Sequence, residues 1–144
     1  MLVLLSALVC GFGEPPPEEF LVERVVDGDT IVLVGGERIR YIGVNTPETK
    51  DPRKPIEHFG LEATEANRKL VEGKYVRLEY DVQKMDQFKR TLAYVYVGDI
   101  FVNAWLVENG YANVATYPPN VKYHDLFVSL EAEAREGKRG LWGR

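Results

Sequence analysis

Residues 26–48 read VDGDTIVLVGGERIRYIGVNTPE, and this stretch predicts the β-hairpin around which the rest of the chain is arranged. Two strand-like runs, 30–34 and 38–44, are separated by Gly35-Gly36. Glycine accepts the positive φ angles that both positions of a tight hairpin turn require. Antiparallel pairing of the two runs would bring residues 27–29 at one end beside residues 45–48 at the other.

These two ends carry oxygen-bearing side chains, and Arg40 lies on the second predicted strand. Carboxylate and amide oxygens beside a guanidinium suit a hard cation and a phosphate group. A simpler interpretation also exists, because Asp-Gly commonly forms turns and Thr-Pro-Glu commonly begins a turn or a helix. On this stretch alone, both interpretations stay open.

The composition indicates one globular domain, which we expect to act as a monomer. The chain has 144 residues, of which 45% are hydrophobic and 28% are charged, and these values argue against disorder. The single cysteine, Cys10, excludes an intrachain disulfide and a zinc site built from several cysteines. His58 and His124 lack metal-ligand spacing, so we expect them at the surface or on helices.

The net charge of −4 argues against a protein that binds duplex DNA through a broad basic face. The charge is uneven, however. Glu14, Glu18 and Glu19 lie in a segment with no lysine or arginine, whereas the predicted loops at 50–54 and 84–90 each carry three basic residues and one aspartate. Local positive charge therefore remains compatible with a nucleic-acid partner.

The N-terminal segment, residues 1–19, predicts export. Residues 1–13 contain no charged residue and are too few to span a bilayer. They are typical of the apolar part of a secretory signal, although the usual basic start is missing. Cys10 before a Gly/Pro/Glu linker resembles a lipoprotein cleavage site, although Val9 is large for the preceding position. We expect a secreted protein or one tethered to the outer face of the membrane; a packed N-terminal segment is the alternative.

Alternation and helical spacing predict the remaining elements of a domain spanning residues 20–144. Strands are expected at 20–26, 75–80 and 91–97, and helices at 58–72, 104–109 and 122–136. We expect Asn103 to cap the second helix, and Leu126, Leu130 and Ala134 to face inward on the third. Trp105 and Trp142 are interpreted as core anchors. The predicted class is α+β, mainly β, and a five-stranded barrel would remove exposed strand edges.

Several separated motifs resemble the thermonuclease (staphylococcal nuclease-like) family. They are 27–30 (DGDT), Arg40 with 45–48 (NTPE), and 88–96 (FKRTLAYVY). The similarity continues through 102–103 (VN), 108–112 (ENGYA), 131–134 (EAEA) and 141–142 (LW), so it covers roughly residues 20–142.

This resemblance implies an OB-fold barrel with three helices and a calcium-dependent phosphodiesterase that cuts DNA and RNA. Residue by residue, Asp29 matches a carboxylate metal ligand, and Thr46 matches the residue whose backbone carbonyl binds the metal. Glu48 matches the general base. Arg40 and Arg90 match the two arginines that bind phosphate, and these residue types suit the charge that develops on a phosphorus under attack by water.

The chain departs from the family pattern at several site positions. Asn45 stands where a second carboxylate ligand is usual, so we expect a weaker hold on Ca²⁺. Phe88 replaces a tyrosine and keeps a face for base stacking. Lys89 replaces a glycine and either attracts phosphate or faces solvent. Tyr117 either faces the substrate or packs over Pro118-Pro119. Outside these positions, Asp27 either accepts a hydrogen bond behind the site or only shapes the turn.

Two functions follow as hypotheses. The first is a nuclease with little sugar specificity, for which Arg40, Glu48 and Arg90 are catalytic, Asp29, Asn45 and Thr46 hold Ca²⁺, and Phe88, Lys89 and Tyr117 bind DNA or RNA. The second is a catalytically weakened or silent OB-fold module that binds single strands or a protein partner. Asp29, Arg40, Glu48 and Arg90 are all present, and such a module has no need of all four, whereas Asn45 favours it.

Overall fold

The computed structural model describes residues 17–55 and 57–143, so most of the predicted export segment lies outside the described residues. The strands in these ranges are β1 (Phe20–Asp27), β2 (Thr30–Leu33), β3 (Arg38–Tyr41), β4 (Gly43–Asn45), β5 (Tyr75–Glu79), β6 (Thr91–Val97), β7 (Ile100–Phe101) and β8 (Asn113–Ala115). The helices are α1 (Gly60–Val71), α2 (Val102–Glu108) and α3 (His124–Glu136), followed by a 3-10 turn at Gly140–Trp142. None of the helices in these ranges has the length and apolar character needed to cross a membrane.

Five strands form a closed barrel. β1 pairs antiparallel with both β2 and β5, β2 pairs with β3, and β5 pairs with β6. A parallel pairing of β3 with β6 closes the ring. The predicted α+β class with a five-stranded OB-fold-type barrel and three helices is therefore confirmed. Closure leaves only the short β7, and the separate β4–β8 pair, outside the ring.

The predicted hairpin forms with Gly35 and Gly36 at φ 106° and 95°, but its second strand is shorter than expected. β3 ends at Tyr41, and Gly43 adopts φ 80°, which redirects the chain. Residues 43–45 then form β4, which leaves the barrel and pairs with β8. The second end of the hairpin is consequently held by a two-stranded ribbon, and the sequence pattern indicated neither β8 nor β7.

The inward face of α3 differs from the prediction. Phe127 is 1% exposed and Ala134 is buried, whereas Leu126 is 42% exposed. Phe127, Leu130 and Ala134 are spaced at i, i+3 and i+7, so they share one face, and Leu130 packs against the core. The prediction for Leu126 is therefore wrong by one position.

Two further side chains have roles other than those predicted. Asn103 lies inside α2 rather than capping it, and its amide accepts the Val95 N–H and donates to the Ile42 carbonyl, at 2.9 Å each. It thereby satisfies a backbone N–H in β6 and a backbone carbonyl just after β3. Trp105 packs against the core as expected, but Trp142 is half-buried outside it, with the Arg135 guanidinium 4.0 Å from its ring centre.

Candidate active site

The two ends of the hairpin meet at Asp29, as the sequence predicts. Asp29 is buried, and its Oδ2 accepts the Thr46 N–H at 2.9 Å and the Thr46 hydroxyl at 3.1 Å. Gly28 makes this approach possible, because a Cβ at this position would lie 2.6 Å from the Thr46 side chain. The end of β4 is thus fixed against the turn between β1 and β2.

Arg40 spans the break between β3 and β4. Its Nη1 donates to the carbonyls of Tyr41 and Val44 at 2.8 Å each. Its Nη2 lies 3.2 Å from Asn45 Oδ1 and 3.3 Å from Asp29 Oδ2. Because both terminal nitrogens are engaged and the side chain is only 15% exposed, the guanidinium is held in one position before any ligand binds.

Arg90 lies just before β6 and is positioned by Asp86. The Asp86 carboxylate accepts Arg90 Nε at 2.8 Å, and its other oxygen accepts the backbone N–H groups of Phe88 and Arg90. The Arg90 guanidinium lies 5.3 Å from the centre of the Phe88 ring. Sequence reasoning missed Asp86. The sequence feature that could have identified it is an aspartate at the start of a charged turn, where the side chain can accept hydrogen bonds from backbone N–H groups further along the turn.

Arg40 and Arg90 line one groove of about 370 Å³, called here the first groove, together with Phe88 and Tyr117. The two aromatic side chains are 68% and 73% exposed, respectively. Lys89 is exposed, adopts φ 61°, and is not among the residues that line the groove. The structure therefore brings four of the predicted site residues to a single concave surface.

A buried asparagine, which sequence reasoning also missed, joins two walls of the first groove. Asn120 is 5% exposed and exchanges two 2.8 Å hydrogen bonds with the backbone of Gln83. These bonds link the loop before β6 to the loop that carries Tyr117. A buried amide satisfied on both sides is a rigid connection.

Glu48 is oriented by its own loop. Its Oε1 accepts the backbone N–H groups of Lys50 and Asp51, while its N–H donates to the Glu57 carboxylate at 3.1 Å. In residues 17–55 and 57–143, no hydrogen bond or ion pair joins Glu48 to Asp29, Arg40 or Arg90. Glu48 is also not among the residues that line the first groove, so the structure does not bring it together with the two arginines.

Asp27 shapes the turn behind the site. Its Oδ1 accepts the Asp29 N–H at 3.2 Å, and its carbonyl accepts the Asn67 amide at 2.9 Å. Asn67 in turn accepts the Tyr41 hydroxyl at 2.7 Å. Burial, followed by the nearby charge of Asp29, raises the pKa of Asp27 to about 7. This arrangement supports a turn-shaping role.

The oxygens of Asp29 and Asn45 both approach Arg40 Nη2, which lies at the point that they share. A carboxylate, an amide and a backbone carbonyl such as that of Thr46 are donor types that suit a cation such as Ca²⁺, so these three residues could hold one. Only one of these donors is a carboxylate, and within the described residues no group of three or more His, Cys, Asp or Glu side chains could hold a metal. Water or substrate would have to supply the remaining ligands.

The comparisons with known proteins agree with this geometry. The family model described as "Staphylococcal nuclease homologue" matches residues 38–144. The chain is 42% identical over 130 residues to a thermonuclease from Staphylococcus intermedius, covering 88% of this chain and 77% of that protein. It is 36% identical over 135 residues to a thermonuclease from Staphylococcus hyicus, covering 92% and 80%.

A third relative is the endonuclease YncB from Bacillus subtilis (strain 168). It is 40% identical over 128 residues, which cover 85% of this chain and 61% of that protein. These similarities extend over most of the chain and agree with the barrel and with the motif residues at its hairpin. This chain therefore belongs to the staphylococcal nuclease homologue family.

Proposed function

We propose that this chain is a nuclease that hydrolyses phosphodiester bonds in DNA and RNA, with little sugar specificity and with Ca²⁺ as its metal. The observation that carries the proposal is the first groove, which is lined by Arg40 from β3 and by Arg90 from the loop before β6. Arg40 also contacts the side-chain oxygens of Asp29 and Asn45. The names of its relatives, thermonuclease and endonuclease, support the same reaction class.

Arg40 and Arg90 neutralise the charge that grows on the phosphate oxygens as water attacks. A guanidinium fork matches phosphate geometry, and prearranged donors are most effective where charge develops. In the described part of the chain, Nε is the one guanidinium nitrogen of Arg90 that Asp86 engages, so both terminal nitrogens remain to donate to phosphate. Arg40 is already held by the backbone and by Asp29.

Glu48 takes the proton of the attacking water. Carboxylates are weak bases at neutral pH, so the water itself must be made more acidic. A divalent cation held by Asp29, Asn45 and the Thr46 carbonyl supplies that acidity when bound. Phe88 and Tyr117 offer exposed rings for base stacking, and Lys89 offers a point charge nearby.

A digestion assay tests this proposal. Plasmid DNA and RNA are incubated with the protein in Ca²⁺, Mg²⁺ or Mn²⁺, with and without chelator. We expect digestion to require metal, and Glu48→Gln to lower kcat by about a hundredfold or more. Glu65→Gln, which removes an exposed carboxylate from α1, is the matched control and should leave digestion unchanged. Digestion that survives Glu48→Gln combined with Arg90→Ala would show that this site is wrong.

Asn45 favours a second function, a silent module that binds single strands. The missing carboxylate lowers the negative charge available to a cation. Single-stranded oligonucleotide binding without cleavage, in every metal tested, would support this alternative.

We also propose export, on the apolar residues 1–13 and the following linker. The mass of the N-terminal peptide from the native protein tests it: an intact Met1 contradicts signal cleavage, and a lipid-modified Cys10 would identify a tether.

A further inference from the structure

A second groove, of about 510 Å³, lies next to the first along the β4–β8 ribbon. Gly43 and Ala115 are register partners and line the first groove, whereas the partners Asn45 and Asn113 line the second. Residues two apart on a strand are about 7 Å apart along it. The two grooves are therefore neighbours along the ribbon, and Asn45 lies at the end of the second groove nearer the first.

Arg135 lines the second groove and repeats the arrangement of Arg90 in the first. Arg90 pairs at 2.8 Å with Asp86, four residues earlier, and lies over the Phe88 ring. Arg135 pairs at 3.0 Å with Glu131, also four residues earlier, and lies 4.0 Å from the centre of the Trp142 ring. Each guanidinium is thus fixed by a carboxylate on one side and an aromatic ring on the other.

The charge of Arg135 is accessible to a ligand. Its side chain is 57% exposed, whereas Glu131 is 17% exposed and also accepts the Val114 N–H at 2.6 Å. The Glu131 carboxylate is therefore shared between Arg135 and the ribbon backbone, and its bond to Val114 joins the ribbon to α3. Asn113 and Glu57 also line the second groove, and Glu57 is an acidic residue that would repel a bound phosphate.

We propose that the second groove is a strand-binding subsite in which Arg135, positioned by Glu131 and Trp142, contacts a phosphate of single-stranded DNA or RNA next to the one that is cut. This inference rests on the proposed nuclease function. It gives the nucleic acid a path from Phe88 and Tyr117, past Arg40 and Asn45, to Arg135. A basic groove that follows the backbone is how single strands are generally held.

Oligonucleotide binding tests the subsite without cleavage. Fluorescence anisotropy is measured in chelator with a thymidine dinucleotide and an octanucleotide, for the wild type, Arg135→Ala, Arg135→Lys and Arg68→Ala. Arg68 is a helical arginine paired with Glu65 and Glu72 that lines neither groove, so it controls for lost charge. Circular dichroism confirms that each variant is folded.

We expect Arg135→Ala to weaken octanucleotide binding about threefold to fivefold, as for one exposed charge pair, and to leave dinucleotide binding unchanged. The slope of log affinity against log salt should fall by about 0.7, the contribution of one phosphate contact with a single strand. Arg135→Lys should restore that slope. The subsite proposal is overturned if Arg68→Ala weakens octanucleotide binding as much as Arg135→Ala does, or if Arg135→Ala weakens dinucleotide and octanucleotide binding equally. It is also overturned if Arg135→Ala leaves octanucleotide binding unchanged, or if the wild type does not bind the octanucleotide.

Digestion of a long single strand separates the two proposals. If the wild type binds the octanucleotide through Arg135 but cuts nothing in any metal, the nuclease function fails and the subsite stands. If the wild type cuts, Arg135→Ala should raise KM with kcat unchanged, because the contact is made equally before and during the reaction. If Arg135→Ala cuts the strand with an unchanged KM, the subsite proposal fails and the proposed nuclease function stands.

Discussion

At the scale of single residues, Arg40 connects the fold to the chemistry. Two of its contacts are backbone carbonyls on either side of the β3–β4 break, and the other two are Asn45 and Asp29. The same guanidinium thus stabilises the break and lies against two of the oxygens proposed to hold a cation. Arg40 and a bound cation would compete for these oxygens, of which only one belongs to a carboxylate. The affinity for the cation should therefore depend strongly on the charge of residue 45.

Asn45→Asp is expected to strengthen Ca²⁺ binding. The change adds a full negative charge to the donor set while keeping its geometry, so the Ca²⁺ concentration for half-maximal digestion should fall roughly tenfold. A calcium titration of nuclease activity measures this. Asn109→Asp is the matched control, because Asn109 lies at the end of α2, lines neither groove and adds the same charge without belonging to the proposed ligands. Equal shifts in both variants would indicate a general field effect and count against Asn45 as a ligand.

Lys89 shows how a residue-level departure from the family pattern is accommodated. It adopts φ 61°, in the left-handed region that favours glycine, at the position where the resemblance places a glycine. Asp86 holds this turn by accepting the N–H groups of Phe88 and Arg90. These hydrogen bonds hold the backbone in this conformation, and the exposed Lys89 side chain adds a positive charge to the loop.

At the scale of elements, the barrel strands were predictable and the β4–β8 ribbon was not. Alternation and the Gly-Gly turn identify the hairpin because those signals are local. The ribbon depends on Gly43, whose positive φ ends β3, and on β8, three residues with little pattern of their own. A related reason explains why the sequence did not predict the hydrogen-bond partners of Asn103, Asn120 and Asp86. Those partners are set by tertiary structure or by loop geometry, which spacing in the sequence does not reveal.

The face that α3 presents to the core can be tested with neighbouring residues. Phe127→Ala should lower the free energy of unfolding by about 3–5 kcal/mol, because it leaves a cavity in the core. Leu126→Ala should lower it by about 1 kcal/mol or less, since Leu126 is 42% exposed. Urea denaturation of both variants measures the difference. A larger loss of unfolding free energy for Leu126→Ala than for Phe127→Ala would instead support the sequence-based prediction that Leu126 faces inward.

At the scale of the whole molecule, α3 is joined to the barrel by a polar cluster around Glu79. The Glu79 carboxylate accepts the Tyr123 hydroxyl at 2.8 Å and 2.9 Å, the Tyr96 hydroxyl at 3.2 Å and the Lys122 ammonium at 2.8 Å. Burial acts to raise its pKa, but the hydrogen bonds from Lys122, Tyr123 and Tyr96 together lower it below the ordinary value. The cluster connects β5 and β6 to the start of α3, which packs over the barrel through Phe127.

This lowered pKa predicts a dependence of stability on pH. Because the folded protein favours the charged form of Glu79, its contribution is present above the unfolded pKa of about 4.5 and is lost as the pH falls through the lower folded value. Glu79→Gln should therefore cost about 1 kcal/mol of unfolding free energy at pH 7. The difference from the wild type should shrink as the pH falls below about 4.5 and through the lower folded pKa, because the wild-type carboxyl becomes protonated there. Denaturation curves at pH 7, 5 and 3 measure it, with the exposed Glu133→Gln on α3 as control. A cost that is the same at all three pH values would show that Glu79 stabilises α3 by packing rather than by its charge.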